Sequence, residues 1–361
     1  MKIMLSFLLL VFAVSVTCSS AIGSKCIEDQ QVSLLNKKSL VFNASSSSTK
    51  LVSWNSSTDC CSWLGITCSD DGSVTGLDIN NESISGGIDN SSSLFHLQHL
   101  RSLNLAHNIL GGGHSRLIPS AVGQLKNLRY LNLSNSCYLG QIPIEISYLA
   151  RLVILDTSDN ELILESPNLH MLVQNLTELT ELHNSRVQIS SRETNWSHAI
   201  SSSPPNLRVL DMSNCGVSGP IHESLANLQS LSVVQLTGND ISAPVPSLQS
   251  IDLSANPELY GCLPEFPKNG YLRSLFLGGS KFSGSLPNSI DNLAMLSIVD
   301  ISRCSFTGRL PKSMANLTQL VELKLNDNNF EGSIPSFDKV KNLESIDISF
   351  NGLTGNINCT T

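Results

Sequence analysis

The stretch that decides the fold is Leu128-Arg129-Tyr130-Leu131-Asn132-Leu133, which is followed downstream by Gly140-Gln141-Ile142-Pro143. The same leucine spacing and a similar Gly-x-Ile-Pro ending return about every 24 residues along the chain. A unit this short holds one strand and a return path, and it cannot bury its apolar side alone, so neighbouring copies must stack. The sequence therefore predicts one continuous solenoid, although the chain length alone would suggest several domains.

Paired apolar residues mark the strands of this solenoid. Because apolar and polar residues alternate, one side of each strand is buried, and because every crossover runs the same way, the strands are parallel. The fold class is therefore an α/β repeat. We expect a leucine-rich-repeat solenoid, wound as a right-handed superhelix, with a parallel β-sheet on the concave face and short 3₁₀, helical or extended segments on the convex face. The predicted rungs, about twelve in number, have inward positions at Leu77/Ile79, Leu103/Leu105, Leu131/Leu133, Leu155/Thr157, Leu182/Asn184, Leu210/Met212, Val234/Leu236, Ile251/Leu253, Leu275/Leu277, Val299/Ile301, Leu323/Leu325 and Ile346/Ile348.

A polar position follows each strand, three residues after its second apolar residue. A buried amide there can satisfy both donors and acceptors of the backbone where the chain turns away from the strand. We interpret this position as a structural ladder, in which two cysteines serve as buried thiols that are neither reactive nor bridging. Its members are Asn108, Asn160, Cys215, Asn239, Asn256, Cys304, Asn328 and Asn351.

Two rungs depart from the pattern. The rung that begins at Leu182 places Asn184 at an inward position, and the polar stretch after it lacks the Gly-x-Ile-Pro ending. We expect an irregular rung with a protruding loop near residues 182–206. Only about 17 residues separate Val234 from Ile251, which indicates a compressed rung or a repeat that has lost part of its length.

The N-terminus has the pattern of a secretory signal peptide, which we place at residues 1–23. Lys2 is followed by an apolar run over residues 3–16 and then by small residues. A membrane anchor is the alternative, but about 14 apolar residues are fewer than the roughly 20 that span a bilayer. No later segment is long and apolar enough to span, so the sequence predicts a secreted protein.

Residues 24–72 contain a cluster of four cysteines ahead of the first repeat, Cys26, Cys60, Cys61 and Cys68. A cap is needed there to cover the edge of the first strand. Disulfides persist in an extracellular environment, and adjacent cysteines do not easily pair with each other. We therefore expect the pairs Cys26–Cys60 and Cys61–Cys68. A zinc site is the alternative, which the lack of a nearby histidine disfavours.

N-glycosylation sequons recur along the chain, as expected for an extracellular surface. One of them, at Asn132, lies within a predicted strand. The acceptors are Asn43, Asn55, Asn81, Asn90, Asn132, Asn175, Asn195, Asn316 and Asn358.

Composition and motifs argue against nucleic-acid binding and catalysis. A formal net charge of -8 with 14% charged residues disfavours a nucleic-acid partner. The histidines at positions 96, 99, 107 and 114 lack a nucleophile with an orienting acid, and the run of glycines at 111–113 lacks the Lys-Ser/Thr of a phosphate loop. We expect no enzyme activity, no cofactor and no metal. Aspartates recur at outward strand positions and could attract a cation. The alternative is that each is a solvated residue of the repeat consensus.

The candidate ligand-binding residues are outward residues that break the repeat consensus. Arginine and exposed aromatic residues are typical of interface hot spots. The arginines could instead simply pair with neighbouring carboxylates. The candidates are Arg101, Arg129, Tyr130, Arg208, Arg273, Phe276, Arg303 and Lys324.

The chain resembles plant extracellular leucine-rich-repeat proteins over nearly its whole length. Residues 53–68 match the paired-cysteine cap of that class, and the ending Val217-Ser218-Gly219-Pro220-Ile221 matches its plant-specific repeat. The stretches 82–87 and 172–179 resemble receptor-like proteins of the Verticillium wilt resistance group. This resemblance implies a cell-surface immune receptor that senses a pathogen-derived protein or peptide and has no kinase of its own. Members carry more repeats, a C-terminal cap and one membrane span, face outward from the plasma membrane, and signal through partner receptor kinases.

Residues 73–361 are assigned to the repeats, and no C-terminal cap or span follows them in this sequence. We therefore expect the N-terminal part of such an ectodomain, secreted or apoplastic as written, and the resemblance assigns no residue to a partner kinase. One alternative is a secreted inhibitor of cell-wall-degrading enzymes of the polygalacturonase-inhibiting type, although the C-terminal cysteine cap of that type is missing. Another is a truncated fragment without signalling, since its last strand would leave an exposed edge.

Overall fold

The structure is a computed structural model that describes residues 25–41, 48–86, 88–112, 116–189, 196–219, 224–225, 228, 230–241, 250–266, 268, 270 and 272–355. The predicted signal peptide and the sequons at Asn43, Asn195 and Asn358 lie outside the described residues.

The described residues form one sheet of 13 strands that runs the length of the chain. The first strand belongs to the cap and pairs antiparallel with the second, which is the strand of the first rung, and every later pair is parallel. We call the outward side of this sheet the concave face. Its strands are Ile66–Cys68, Val74–Asp78, Ser102–Asn104, Tyr130–Asn132, Ile154–Asp156, Glu181–His183, Val209–Asp211, Val233–Gln235, Ser250–Asp252, Ser274–Phe276, Ile298–Asp300, Glu322–Lys324 and Ser345–Asp347.

The register of the sheet follows from the leucine pattern. Leu103, Leu131, Leu155 and Leu182 stand directly beside one another and are fully buried, whereas the residues on either side of each are half-exposed. A slip by one residue would expose every leucine, so burial fixes the pairing. The predicted rungs are confirmed, and so is the compressed one, since Val234 pairs in register with Ile251.

A second set of parallel strands lies just after the ladder position, where the sequence predicted only a turn and an extended return. Three stacked rings, with centroids 6.4 Å apart for Phe282 and Phe306 and 6.0 Å apart for Phe306 and Phe330, fill the core behind the longest of these sheets. Gly308 has φ 78°, a conformation that favours glycine. The strands are Leu139–Gln141, Glu161–Leu164 and Gln188–Ile189 in one sheet, Ser218–Gly219 and Asp240–Ile241 in another, and Tyr260–Gly261, Lys281–Gly284, Ser305–Arg309, Asn329–Ser333 and Gly352–Thr354 in the third.

Short helices complete the return paths, as predicted. Proline stands just before several of the 3₁₀ helices, where its fixed φ suits the entry. The 3₁₀ helices include Leu51–Ser53, Cys60–Ser62, Ser93–His96, Leu110–Gly112, Ser120–Gln124, Ile144–Tyr148, Asn288–Asn292 and Lys312–Asn316. The α-helices are Glu28–Val41 in the cap, Leu169–Val173 and Trp196–Ser201.

The last of these helices lies within residues 182–206, the segment for which a protruding loop is predicted. Residues 196–201 pack into the core, with Trp196, Ala199 and Ile200 buried, while residues 190–195 lie outside the described residues. The apolar residues of this segment are spaced for one helical turn, and the surrounding serines conceal that spacing in the sequence.

The N-terminal cap forms as predicted. The pairs Cys26–Cys60 and Cys61–Cys68 are bonded, each with Cα atoms 5.6 Å apart. Trp54 and Trp63 stack beside them with ring centroids 5.3 Å apart. The cap therefore covers the edge of the first repeat strand with disulfide-linked, well-packed structure.

The predicted ladder is present in the core. Oδ1 of Asn108 accepts from the backbone N–H of Glu82 and Ile84, and its Nδ2 donates to the carbonyls of Ile79 and Leu105. Asn160, Asn239, Asn256, Asn328 and Asn351 bond their neighbours in a similar way.

The two ladder cysteines act as hydrogen-bond donors. Sγ of Cys215 lies 3.0 Å from the carbonyl oxygen of Asn184, and Sγ of Cys304 lies 3.2 Å from that of Leu277. Burial raises the pKa of Cys215 to about 12 and also raises that of Cys304. Both thiols therefore stay protonated at neutral pH, which suits a structural role.

Asn184 leaves an unpaired donor in the core of the irregular rung. Its Oδ1 accepts from the hydroxyl of Thr157 at 2.9 Å, but its Nδ2 has no hydrogen-bond partner in the described part of the chain. Both residues are fully buried at inward positions that hold leucine in other rungs. We expect the double substitution Thr157→Val and Asn184→Leu to raise the free energy of unfolding by about 1–2 kcal/mol, since a buried unsatisfied amide is removed. Urea unfolding measures this, and a double variant less stable than wild type would contradict it.

Candidate binding surface on the concave face and its rim

The outward residues of the concave face include a row of aspartates with a structural role. Oδ1 of Asp211 accepts from the backbone N–H of Ser213 at 3.0 Å and from its hydroxyl at 2.7 Å. Asp252, Asp300 and Asp347 make the same pair of bonds to the serine two residues on. Such bonds fix the turn that follows each strand, which gives these aspartates a reason to recur other than a metal.

Two aromatic candidates stand on the concave face. Tyr130 lies in register between Ser102 and Ile154, and its hydroxyl accepts a hydrogen bond from Asn132 at 3.1 Å. Phe276 lies in register between two of the aspartates described above. Both side chains are half-exposed, so each presents an aromatic surface on the concave face, and that of Phe276 lies within the row of aspartates.

Lys324, the third candidate on this face, is already paired. Its Nζ lies 2.5 Å from Oε1 of Glu322. That hydrogen bond and charge, with the nearby charges of Asp300 and Asp347, raise the pKa of Lys324. This end of the face therefore carries more negative than positive charge.

Four of the arginine candidates share the position just before a strand, along the edge where the strands begin, which we call the rim. Arg101, Arg129, Arg208 and Arg273 are all exposed there. Nη1 of Arg129 lies 3.2 Å from Oε2 of Glu178, so the expected carboxylate pairing holds for this arginine. The guanidinium groups of the other three have no hydrogen-bond or ion-pair partner among the residues that the structure describes.

Arg303 lies away from the rim. It occupies the turn after a strand with φ 52°, and its Nε is 3.8 Å from Oδ2 of Asp327. The structure therefore places four candidates on the rim and two aromatic candidates on the concave face, and Arg303 and Lys324 pair with carboxylates elsewhere, as Arg129 does on the rim.

A pocket of about 270 Å³ opens on the rim between the cap and the first rungs. It brings together Arg101 and Arg129, which the sequence singled out, with Arg151 and His99, which it did not. Nη1 of Arg151 donates to Oδ1 of Asn127 at 3.0 Å. The lining residues are Ser69, Asp71, Thr75, His99, Arg101, Asn127, Arg129 and Arg151.

The sequons within the described residues are mostly accessible. Asn55, Asn81, Asn90, Asn175 and Asn316 are exposed, and glycosylation at them stays a prediction. Asn132 is half-buried on the concave face, where its Oδ1 accepts from Ser134 and its Nδ2 donates to Tyr130. In the described residues, no helix combines the length and apolar character needed to cross a membrane.

Comparison with known families matches the cap and several repeats. Residues 28–69 match the leucine rich repeat N-terminal domain, and residues 96–112, 206–228, 271–293 and 295–317 match leucine rich repeats. The chain is 35% identical to receptor-like protein 7 of Arabidopsis thaliana over 81% of its own length and 28% of that protein. It is 33% identical to receptor-like protein Cf-9 of Solanum pimpinellifolium over 81% of its own length and 33% of that protein. The chain thus spans no more than a third of the length of these two relatives.

Solved structures show the same architecture. The ectodomain of the Arabidopsis receptor kinase HAESA, in complex with an IDA peptide hormone, superposes with a TM-score of 0.72 at 27% identity, over 91% of this chain and 58% of that one. The fold of PEPR1 in the PEPR1–AtPEP1 structure is also similar, with a TM-score of 0.62 at 22% identity, over 91% of this chain and 52% of that one. Cap, repeats and relatives therefore identify the chain as a leucine-rich-repeat protein similar to plant receptor-like proteins, which confirms the resemblance to plant extracellular leucine-rich-repeat proteins drawn from its sequence.

Proposed function

We propose that this chain is an extracellular recognition module, the N-terminal part of a receptor-like ectodomain, that binds a pathogen-derived protein or peptide in plant defence signalling. The observation that carries the proposal is the presence of half-exposed aromatic side chains on the concave face, together with rim arginines whose guanidinium groups have no partner among the described residues. Aromatic and arginine side chains in such a setting are typical of interface hot spots.

The comparisons support the general class of ligand. HAESA is described in complex with a peptide hormone, and its ectodomain shares this architecture. The module needs no enzyme activity for such a role, and signalling would pass to a partner receptor kinase. The protein would act outside the cell, either secreted or displayed on the plasma membrane in a longer form.

The aromatic residues give the first test of the proposed binding face. We expect Tyr130→Ala and Phe276→Ala each to weaken ligand binding by at least about tenfold, as is usual for a buried aromatic anchor. The glycosylated wild-type chain would be cross-linked to fractionated fungal culture filtrate, the captured protein identified by mass spectrometry, and its Kd measured by surface plasmon resonance.

Tyr148 provides a matched control for this measurement. This residue is 52% exposed and lies on the return path in the 3₁₀ helix Ile144–Tyr148, away from the concave face. Tyr148→Ala should leave Kd within about twofold of wild type, since exposed contacts outside an interface contribute little. Equal losses in the control and the concave variants would contradict the assignment of the face. Inhibition of a fungal polygalacturonase by the purified chain would instead favour an enzyme inhibitor.

A further inference from the structure

We propose that the rim pocket between the cap and the first rungs binds an oxyanion group, a carboxylate, sulfate or phosphate, carried by an acidic segment of the ligand. This inference rests on the proposed function, because it assigns a chemical class to the ligand. It concerns the pocket lined by Arg101, Arg129 and Arg151 with His99.

The repeat geometry forces these positive charges together. The backbone N–H of Arg129 donates to the carbonyl of Arg101 at 2.7 Å, so the two arginines project from adjacent rungs at about the strand spacing of 4.8 Å. Arg151 comes from the next rung along. Three guanidinium groups held this close repel one another, and a bound anion relieves that repulsion.

Carboxylates of the chain do not fully offset this charge. Asp71 is the one acidic residue among those lining the pocket, and its Oδ1 accepts from the hydroxyl of Ser69 at 2.6 Å and the backbone N–H of Ser73 at 3.1 Å. These bonds, with the one to the Ser73 side chain and the nearby charge of His99, lower the pKa of Asp71 to about 2. The carboxylate of Asp71 is thus hydrogen-bonded within its own turn. Glu178 pairs only with Arg129 among the three arginines.

One of the guanidinium groups that would donate to the anion is held in place by the chain itself. Nδ2 of Asn127 donates to the carbonyl of Gln98 at 2.9 Å, which leaves its Oδ1 to hold the guanidinium of Arg151 at 3.0 Å. The guanidinium of Arg101 has no partner among the described residues. A guanidinium carries five N–H donors and suits bidentate bonds to carboxylate, sulfate or phosphate oxygens.

The volume of the pocket suits one charged group of a longer ligand. A volume of about 270 Å³ lies just below the range of pockets that enclose drug-sized ligands, roughly 300–1,000 Å³. It accommodates one acidic side chain or one esterified oxyanion. In a chain with a net charge of -8, such a positive pocket would draw an acidic segment to the cap end of the concave face.

The test uses a labelled probe and needs no natural ligand. Fluorescein-labelled hexaglutamate is titrated with the full glycosylated chain by fluorescence anisotropy, and hexalysine serves as the control for charge sign. Sodium acetate, sulfate and phosphate then compete at an ionic strength held constant with sodium chloride, since salt alone screens charge. We expect hexaglutamate to bind, hexalysine not to bind, and the strongest competitor to reveal which oxyanion fits best.

A pair of double variants locates the binding. Arg101→Gln with Arg151→Gln should weaken hexaglutamate binding by at least about tenfold, since charge-assisted hydrogen bonds are lost. Arg116→Gln with Arg309→Gln removes the same charge from two exposed arginines that do not line the pocket and are not binding candidates, and it should change binding by less than about twofold. Thermal unfolding confirms that both variants fold.

Equal weakening by the two double variants, or failure of the wild-type chain to bind hexaglutamate, would overturn the pocket assignment. The proposed function would still be supported in that case if a captured ligand binds through Tyr130 and Phe276. The converse outcome is that only the pocket double variant weakens hexaglutamate binding while no protein ligand is captured from culture filtrate. That outcome would support the pocket assignment and contradict the proposed function.

Discussion

Alanine in place of Asn160 is expected to lower the free energy of unfolding by about 3 kcal/mol, near the upper range for one substitution. Oδ1 of Asn160 accepts from the backbone N–H of Ser136 and Tyr138 at 3.1 and 3.0 Å, and Nδ2 donates to the carbonyls of Leu133 and Thr157, both at 3.0 Å. The residue is 7% exposed. Because water cannot replace the amide in a packed core, its backbone partners would lose their bonds together.

Asn351 supplies a control with similar hydrogen bonds but more access to water. It accepts from the backbone N–H of Phe330 and donates to the carbonyls of Leu325 and Ile348, yet it is half-exposed. Water can satisfy the same groups there, so Asn351→Ala should cost about 1 kcal/mol or less. Urea unfolding followed by far-UV circular dichroism measures both values. Equal losses would show that burial is not what makes the ladder amides stabilising.

The main sheet could be predicted from sequence because its signal is local and repeated. Each rung carries its own apolar pair, as at Leu131 and Leu133, and the ladder position follows at a fixed distance. Stacking then requires no information beyond one repeat. The disulfide pairs were only partly predictable, because the adjacency of Cys60 and Cys61 excludes a bond between them but leaves two pairings. The structure forms Cys26–Cys60 and Cys61–Cys68.

The second set of strands could not be predicted, because each strand is short and most of them contain glycine. Residues 305–309 hold one fully buried residue, Phe306, beside Gly308, which is a weak strand signal by itself. Those strands form because the main sheet places the same segment of each rung beside the next. The stacking of Phe306 on Phe330 is likewise a contact between rungs.

The rim pocket could not be predicted from the sequence, because it depends on contacts between distant segments. Arg101 and Arg129 were selected one at a time, as departures from the consensus. Arg151 and His99 precede strands at positions with no consensus to break, and the turn that carries Asp71 belongs to the cap. Only the stacking of cap on repeats shows that these side chains share one cavity.

The ladder position of the first rung holds a buried carboxylate, and we expect its removal to cause a large loss of stability. Glu82 is 2% exposed and accepts from the hydroxyl of Ser48 at 2.5 Å and from the backbone N–H of Thr49, Lys50 and Leu51 at 3.0–3.2 Å. These bonds fasten the cap to the first repeat. We expect Glu82→Ala to lower the free energy of unfolding by about 3–5 kcal/mol, because several donors, including those of the buried Ser48 and Leu51, would lose a charged acceptor. Glu82→Gln should cost less, since one amide oxygen still accepts hydrogen bonds.

The same carboxylate makes the attachment of the cap depend on pH. Burial alone would raise the pKa of Glu82, but hydrogen bonds from Ser48, Lys50, Leu51 and Thr49 outweigh it and hold the pKa below its usual value. A carboxyl group whose pKa is depressed by folding adds stability above its unfolded pKa, about 4.3, and loses it as pH falls through the folded value. The advantage of wild type over Glu82→Gln, measured by urea unfolding from pH 7 to pH 3, should therefore shrink below about pH 4.3. An advantage that stays constant across this range would mean that the charge on Glu82 does not hold the cap in place.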